Sequence, residues 1–184
     1  MLNSPRLKLL LLTLLVEGAV LAAALVLAAF FEIRLFPLTK NFFRDVLLGV
    51  FWTLLPLGLF IFAISAKAEW LPLLRSVRRI VLTDIKELIS SAGLIDLVLI
   101  SALAGFAEEL LFRGVIQVKL GIFAASIIFG LFHFISPGYV IIATIMGFYI
   151  GVLFSQYESL LVPVGLHFLY DLGALVYLRY FVRG

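Results

Sequence analysis

Apolar stretches long enough to cross a membrane follow one another along this chain, and they restrict it to a membrane protein. The first runs from Leu9 to Phe31 and the second from Phe43 to Ser65. A bilayer core of roughly 30 Å needs about 20 such residues in a helix, and each stretch supplies them. Hydrophobic residues make up 64% of the 184 positions, more than a soluble domain of this length can bury.

The apolar segments that follow predict four more transmembrane helices. They run from Leu94 to Lys119, from Gly121 to Ile135, from Tyr139 to Tyr157, and onward from Leu160. Pro137 and Gly138 break the chain between the second and the third of these segments. We therefore predict an all-α, polytopic membrane protein with about six transmembrane helices.

The segment from Lys67 to Ser91 has a different composition, in which apolar residues at helical spacing alternate with basic ones. Its apolar members are Trp70, Leu74, Val77, Val81, Ile85 and Leu88, and its basic members are Arg75, Arg78, Arg79 and Lys86. This pattern is typical of an amphipathic helix that lies at a membrane surface. We predict one membrane domain over residues 1–184, with two spans in 1–66, the interfacial helix in 67–92 and a functional core in 93–181.

The basic residues predict the orientation of the chain. Six spans place both termini on one side. The N-terminus, the interfacial segment, Arg179 and Arg183 hold nine of the fourteen basic residues. The positive-inside rule then predicts a multi-pass protein of the cell membrane with both termini in the cytoplasm. The net charge of +3 is explained by the basic residues of the predicted loops. No nucleic-acid partner is predicted. The absence of cysteine excludes disulfides, thiolate metal sites and cysteine nucleophiles.

Ionisable side chains inside the apolar segments are the candidate functional residues, because they are costly to keep in a bilayer. Glu109 and Arg113 are four residues apart with the acid first, the favourable order for a helical ion pair. Glu108 projects about 100° away around the helix and is left free. Glu17 lies near mid-membrane in the first helix, where we expect a carboxyl group hydrogen-bonded within the bundle.

The only two histidines, His133 and His167, lie in later apolar segments. A buried carboxylate with a free face and two buried imidazoles can activate a water for hydrolysis. Neither a serine in triad-motif spacing nor an HExxH motif is present, which disfavours serine and zincin mechanisms.

Three motifs follow each other in these helices: Glu108-Glu109-x-x-x-Arg113, Phe129-x-x-x-His133 and His167-x-x-x-Asp171. Together, in this order, they resemble the CPBP family of CAAX proteases and bacteriocin-processing enzymes, also called the ABI family. That family includes the type II CAAX prenyl endopeptidases. The resemblance covers about Leu94 to Tyr180 and implies a helical intramembrane endopeptidase.

The resemblance also implies a role for each matching residue. Glu108 and His133 would position and deprotonate the attacking water, and His167 and Asp171 would form the oxyanion site. Glu109 and Arg113 would support that site, together with Phe129 of the second motif. Many members have Asn where this chain has Asp171. An ionised aspartate only accepts hydrogen bonds, so the oxyanion role is assigned to His167, and Asp171 is left to orient it or to act in protonated form.

Two alternatives use the same residues in another way. The histidines and a carboxylate can ligate zinc with a water in the fourth position, although we favour a metal-free site without cofactor. A non-catalytic bacteriocin-immunity or scaffold protein is the other alternative. The lack of inverted repeats disfavours a transporter. The expected partners are the lipid bilayer and a membrane-associated peptide or protein substrate, and a homo-oligomer is left open.

Overall fold

A computed structural model describes residues 4–182, and every regular element in that range is helical. The elements are α1 (Pro5–Phe30), α2 (Phe42–Ile64), a 3-10 turn (Ala66–Ala68), α3 (Pro72–Ile80), a π-helical segment (Val81–Ile85), α4 (Lys86–Leu88), α5 (Leu94–Glu109), a second π-helical segment (Leu110–Gln117), α6 (Val118–Phe132), α7 (Pro137–Tyr157) and α8 (Leu161–Tyr180). Five helical stretches within the described residues are long and apolar enough to cross a membrane. The prediction of an all-α, polytopic membrane protein is confirmed.

The third of these stretches, Leu94–Phe132, is 39 residues long and contains two predicted helices. Gly121 separates them, with φ 81 and ψ 169. Along an unbroken α-helix Glu108 and His133 would lie about 38 Å apart. Their side chains instead approach to 3.5 Å, so the chain reverses direction at Gly121.

The helical arm after Gly121 is shorter than predicted. It ends at Phe132, and His133 caps it with φ −96 and ψ 33, outside the α region. The predicted end at Ile135 is therefore wrong, and Pro137, which starts α7, leaves only a short connection. From Gly121 to Phe132 the arm covers about 18 Å, so it reaches roughly half of the hydrocarbon thickness.

Polar contacts identify the two ends of the bundle. At one end Arg6 pairs with Asp96 at 2.7 Å, and Arg179 donates to the carbonyl of Ala92 at 3.3 Å. At the other end the backbone N–H of Leu160 donates to the carbonyl of Leu38 at 2.9 Å. The beginning of α1 and the end of α8 therefore share one end of the bundle. Arg183, which the orientation prediction also used, lies outside the described residues.

The predicted amphipathic segment is helical from Pro72 to Leu88, through α3, the first π-helical segment and α4. Val77 and Val81 are buried in a cluster with Leu9, Ile64, Leu97 and Leu178. Trp70, the first apolar member of the predicted amphipathic helix, is 71% exposed. The middle of the amphipathic segment thus packs on the bundle. Its location at a membrane surface stays a prediction.

Small residues allow the helices around the two histidines to approach closely. A Cβ added to Gly105 in α5 would lie 2.8 Å from the backbone N of Phe168 in α8. A Cβ added to Gly147 in α7 would lie 3.1 Å from the Cα of Ser126 in α6. Both crossings lie beside ionisable residues, since Gly105 faces the residue after His167 and the carbonyl of Gly147 accepts from Arg113.

Candidate active site

Glu108, near the end of α5, keeps the free face that its sequence position predicts. Its Oε2 atom is buried and has no hydrogen-bond partner among residues 4–182. The nearest cationic or imidazole group is His133, whose Nε2 atom lies 3.5 Å from this oxygen. Burying a carboxylate oxygen without a hydrogen-bond donor costs free energy. The site therefore needs a hydrogen-bond donor that reaches both Glu108 and His133.

The hydrogen bond on the other side of the ring sets the tautomer of His133. Nδ1 lies 2.8 Å from the carbonyl oxygen of Phe129, one helical turn earlier. A carbonyl only accepts, so Nδ1 carries the proton. In the neutral ring Nε2 then presents a lone pair toward Glu108. Two acceptors therefore face each other across 3.5 Å, an arrangement that one water can satisfy by donating a hydrogen to each.

Glu109 and Arg113 form the predicted ion pair, with Nε of Arg113 3.1 Å from Oε2 of Glu109 and side chains only 0% and 1% exposed, respectively. Arg113 also donates from Nη2 to the carbonyl of Gly147 in α7 at 3.1 Å. Its guanidinium carbon lies 4.6 Å from the centre of the Phe129 ring. This buried arginine thus joins α5, α6 and α7.

His167 lies between two carboxylates. Its Nδ1 atom is 2.7 Å from Oε1 of Glu109, and its Nε2 atom is 3.4 Å from Oδ2 of Asp171. The ring is 5% exposed. Both ring nitrogens therefore face acceptors, and Asp171 lies where it orients the ring. The contact between Glu109 and His167 joins α5 to α8.

Phe129 packs between the two histidines. Its ring centre lies 4.4 Å from that of His133 and 6.0 Å from that of His167. The side chain is 4% exposed. The predicted site residues therefore fall into two groups, Glu108 with His133 and Glu109 with Arg113, His167 and Asp171, and Phe129 separates the two imidazoles.

A π-helical segment, Leu110–Gln117, follows the paired glutamates, and nearly all of it is buried. Sequence reasoning did not predict it, because no residue type distinguishes a π-helix from an α-helix at this length. Its last residue, Gln117, donates to the carbonyl of Gly151 at 2.9 Å and to Oγ of Ser155 at 3.0 Å. These hydrogen bonds hold α7 beside the site. The sequence signal for them was the position of Gln117, a polar residue between apolar neighbours.

A cavity of about 590 Å³ lies between α2, α3, α7 and α8. His133 and His167 line it, while Glu108 lies against His133. Its polar side chains are His133, Tyr139, Tyr149, His167, Tyr170 and Asp171, and the rest of the wall is apolar. The sequence analysis missed the tyrosines, since an aromatic residue in an apolar helix carries no functional signal of its own.

Zinc would require three or more of the ligand side chains to converge. Within residues 4–182 no group of three or more His, Asp or Glu side chains is arranged to hold a metal ion. The side chains instead form contacts with one another: Nδ1 of His133 is used by Phe129, and both nitrogens of His167 face carboxylates. The residues as placed do not fit a zinc site.

Residues 90–173 match the family model described as "Type II CAAX prenyl endopeptidase Rce1-like". All seven predicted site residues fall inside this range, so the resemblance inferred from the motifs is confirmed over that part of the chain. An uncharacterised protein of Bacillus subtilis (strain 168), YpbD, is 35% identical over 89 residues, which are 47% of this chain and 47% of YpbD. The chain thus spans about half the length of this curated relative. No solved structure matches.

Proposed function

We propose that this chain, whose residues 90–173 carry the pattern of the type II CAAX prenyl endopeptidases, is an intramembrane endopeptidase. It hydrolyses a peptide bond within or next to the membrane with a water activated by Glu108. The supporting observation is the pair of acceptors formed by the unpartnered Oε2 of Glu108 and Nε2 of His133, 3.5 Å apart beside an apolar cavity. A substrate chain in the membrane can enter such a cavity without leaving an apolar environment.

The water donates one hydrogen to Glu108 and the other to His133, and this leaves an oxygen lone pair for the scissile carbonyl carbon. Glu108 takes the proton as the carbon–oxygen bond forms. The same proton then passes from Glu108 to the leaving nitrogen as the carbon–nitrogen bond breaks. Glu108 ends the cycle ionised and ready for another water.

Glu109 and Arg113 act through other residues. Arg113 neutralises Glu109 inside the bundle, and Glu109 accepts the hydrogen of Nδ1 of His167. Asp171 faces the opposite nitrogen of the same ring. His167 is thus held at the cavity wall, where we propose that it adds favourable electrostatic potential for the charge that develops on the carbonyl oxygen.

The proposal assigns no metal, because the ligand side chains contact one another rather than converge on a point. The proposed substrate class is a membrane-associated peptide or protein. The description of the matching family directs the choice of probe: an internally quenched peptide with a C-terminal CAAX sequence, in farnesylated and unmodified forms.

Glu108→Gln tests the function, since it preserves the shape and removes the base. We expect purified wild type in detergent to cleave one of the two peptides and Glu108→Gln to be at least about 10²-fold slower with an unchanged Tm. Quantitative proteomics on cells with either form should show membrane peptides whose cleavage disappears in the variant. Equal cleavage by both forms, or no cleavage by the wild type in either experiment, would favour the non-catalytic scaffold.

A further inference from the structure

The cavity lacks an obvious hydrogen-bond donor for the carbonyl oxygen of a substrate. Four of its six polar side chains are accounted for by their contacts. His133 uses its Nδ1 hydrogen on Phe129, and both nitrogens of His167 face carboxylates. Tyr149 donates its hydroxyl to the carbonyl of Trp52 at 2.7 Å. Asp171, as an anion, only accepts.

Tyr139 and Tyr170 remain. Neither hydroxyl donates to an acceptor in the part of the chain that the structure describes, and both rings line the cavity beside the histidines. Phenols carry one strong donor, and a buried tyrosine normally finds a partner for it. These two hydroxyls are therefore the side-chain donors that the cavity can offer to a bound substrate.

Their surroundings distinguish the two tyrosines. Tyr139 follows His133 across the short connection between α6 and α7, and both residues line the cavity, so Tyr139 enters it next to the histidine that faces Glu108. Tyr170 belongs to α8, and its ring packs edge-on against that of Phe60 in α2, with ring centres 6.2 Å apart. Tyr139 is thus the tyrosine carried by the same part of the fold as the histidine that faces the base.

The backbone of Tyr139 is held in place, as a catalytic donor requires. It belongs to the first turn of α7, and its N–H donates to Oγ of Ser136 at 3.2 Å. The neighbouring Gly138 packs against α3, where an added Cβ would lie 3.2 Å from Cδ1 of Leu73. A donor on a fixed turn does not have to reorganise when charge develops on the substrate.

We propose that Tyr139 is a catalytic residue whose hydroxyl donates a hydrogen bond to the carbonyl oxygen of the scissile bond and to the oxyanion that forms from it. The inference rests on the proposed function. No proton is transferred: the phenol keeps its hydrogen, and the oxyanion returns to a carbonyl when the carbon–nitrogen bond breaks. Tyr139 thereby supplies the donor that an ionised Asp171 cannot supply.

Tyr139→Phe, in the full chain and with the CAAX peptide that the wild type cleaves, tests the proposal. The ring and its packing remain, so we expect an unchanged Tm and KM and a decrease of about 10²-fold in kcat, typical of a lost oxyanion donor. Asp171→Asn places an amide donor at the same end of the cavity. Added to Tyr139→Phe, it should restore kcat by about tenfold or more.

Tyr149→Phe is the matched control, because it removes a hydroxyl from the same cavity that is already used by Trp52. We expect its loss of kcat to be much smaller than that of Tyr139→Phe. A near-wild-type kcat in Tyr139→Phe, a loss of kcat that follows a lower Tm, or no recovery on adding Asp171→Asn would each overturn the inference. Glu108→Gln in the same assay separates the two proposals: its full activity would contradict the proposed function, whereas full activity of Tyr139→Phe alone contradicts only the role of Tyr139.

Discussion

At the scale of single residues, Glu109 links the buried arginine to the second histidine. Its carboxylate is within 3.1 Å of Arg113 in its own helix and 2.7 Å from His167 in α8. Arg113 in turn reaches Gly147 in α7. Truncation of Glu109 or Arg113 leaves the other charge buried and unpaired. The resulting loss of stability is far larger than that from breaking an exposed ion pair.

Arg113→Ala should therefore destabilise the protein by about 3–5 kcal/mol and lower activity in parallel, because Glu109 loses its neutralising partner. Thermal unfolding in detergent measures the effect. Arg78→Ala is the control, since Arg78 and Glu69 are 29% and 51% exposed and such a pair contributes about 0–1 kcal/mol. An inactive Arg113→Ala with the Tm of the wild type would instead place Arg113 in the chemistry.

The contacts of the two histidines also lead to a prediction about zinc. A neutral imidazole binds zinc through a free lone pair, and only Nε2 of His133 offers one without breaking a contact. We expect protein purified without added metal to carry well under one zinc per chain by elemental analysis, and its activity to survive chelation. Stoichiometric zinc that disappears in His167→Ala, with activity restored to chelated wild type by zinc, would establish a metalloprotease.

At the scale of helices, the reversal at Gly121 is what brings Glu108 and His133 together. The backbone there has φ 81 and ψ 169, a region that is essentially restricted to glycine. Two helical arms run from this turn toward the middle of the bundle: one carries Glu108 and continues to Leu94, and the other ends at His133. The turn is thus distant from the candidate active site and yet sets its geometry.

Gly121→Ala should cost about 1–3 kcal/mol of backbone strain and reduce activity by moving His133 relative to Glu108. There is space for the added methyl group, because nothing lies within 4 Å of a Cβ at this position. A change in stability or activity would therefore come from the backbone conformation and not from a steric clash. Gly18→Ala is the matched control, with equally free space and ordinary helical geometry. Its Tm and activity should equal or slightly exceed those of the wild type, and a similar result for Gly121→Ala would contradict the argument.

Local sequence predicted the contacts that form within one helix. The pair of Glu109 and Arg113 depends on a spacing of four residues, and the free face of Glu108 follows from the same geometry. The contact between Glu109 and His167 was not predictable, because it depends on how closely α5 and α8 cross at Gly105. The π-helical segment and the end of α6 at Phe132 also depend on tertiary packing, which overrides local preference.

At the scale of the whole molecule, basic residues are unequally distributed between the two ends of the bundle. Arg6, Arg179 and the basic helix after Lys67 lie at one end, and Arg34, Lys40, Arg44 and Lys119 lie toward the other. The positive-inside rule predicts that the first end faces the cytoplasm. Because the chain has no cysteine, labelling of a single introduced cysteine shows on which side of the membrane that position lies.

A membrane-impermeant maleimide applied to intact cells should label Lys40→Cys and leave Lys67→Cys unlabelled until the cells are opened. Both positions are exposed, and α2 separates them by about 35 Å. Lys119→Cys should behave like Lys40→Cys. Labelling of Lys67→Cys in intact cells would reverse the proposed orientation.

The joining of α5 to α8 through Glu109 and His167 has a consequence for biosynthesis. A ribosome makes α5 long before α8, yet the charged residues of α5 must enter the bilayer when that helix leaves the translocon. The ion pair with Arg113 forms inside the helix itself and lowers the cost of this step before any partner exists. His167 arrives only with α8, so the proposed active site stays incomplete in the nascent protein until the final described helix is inserted.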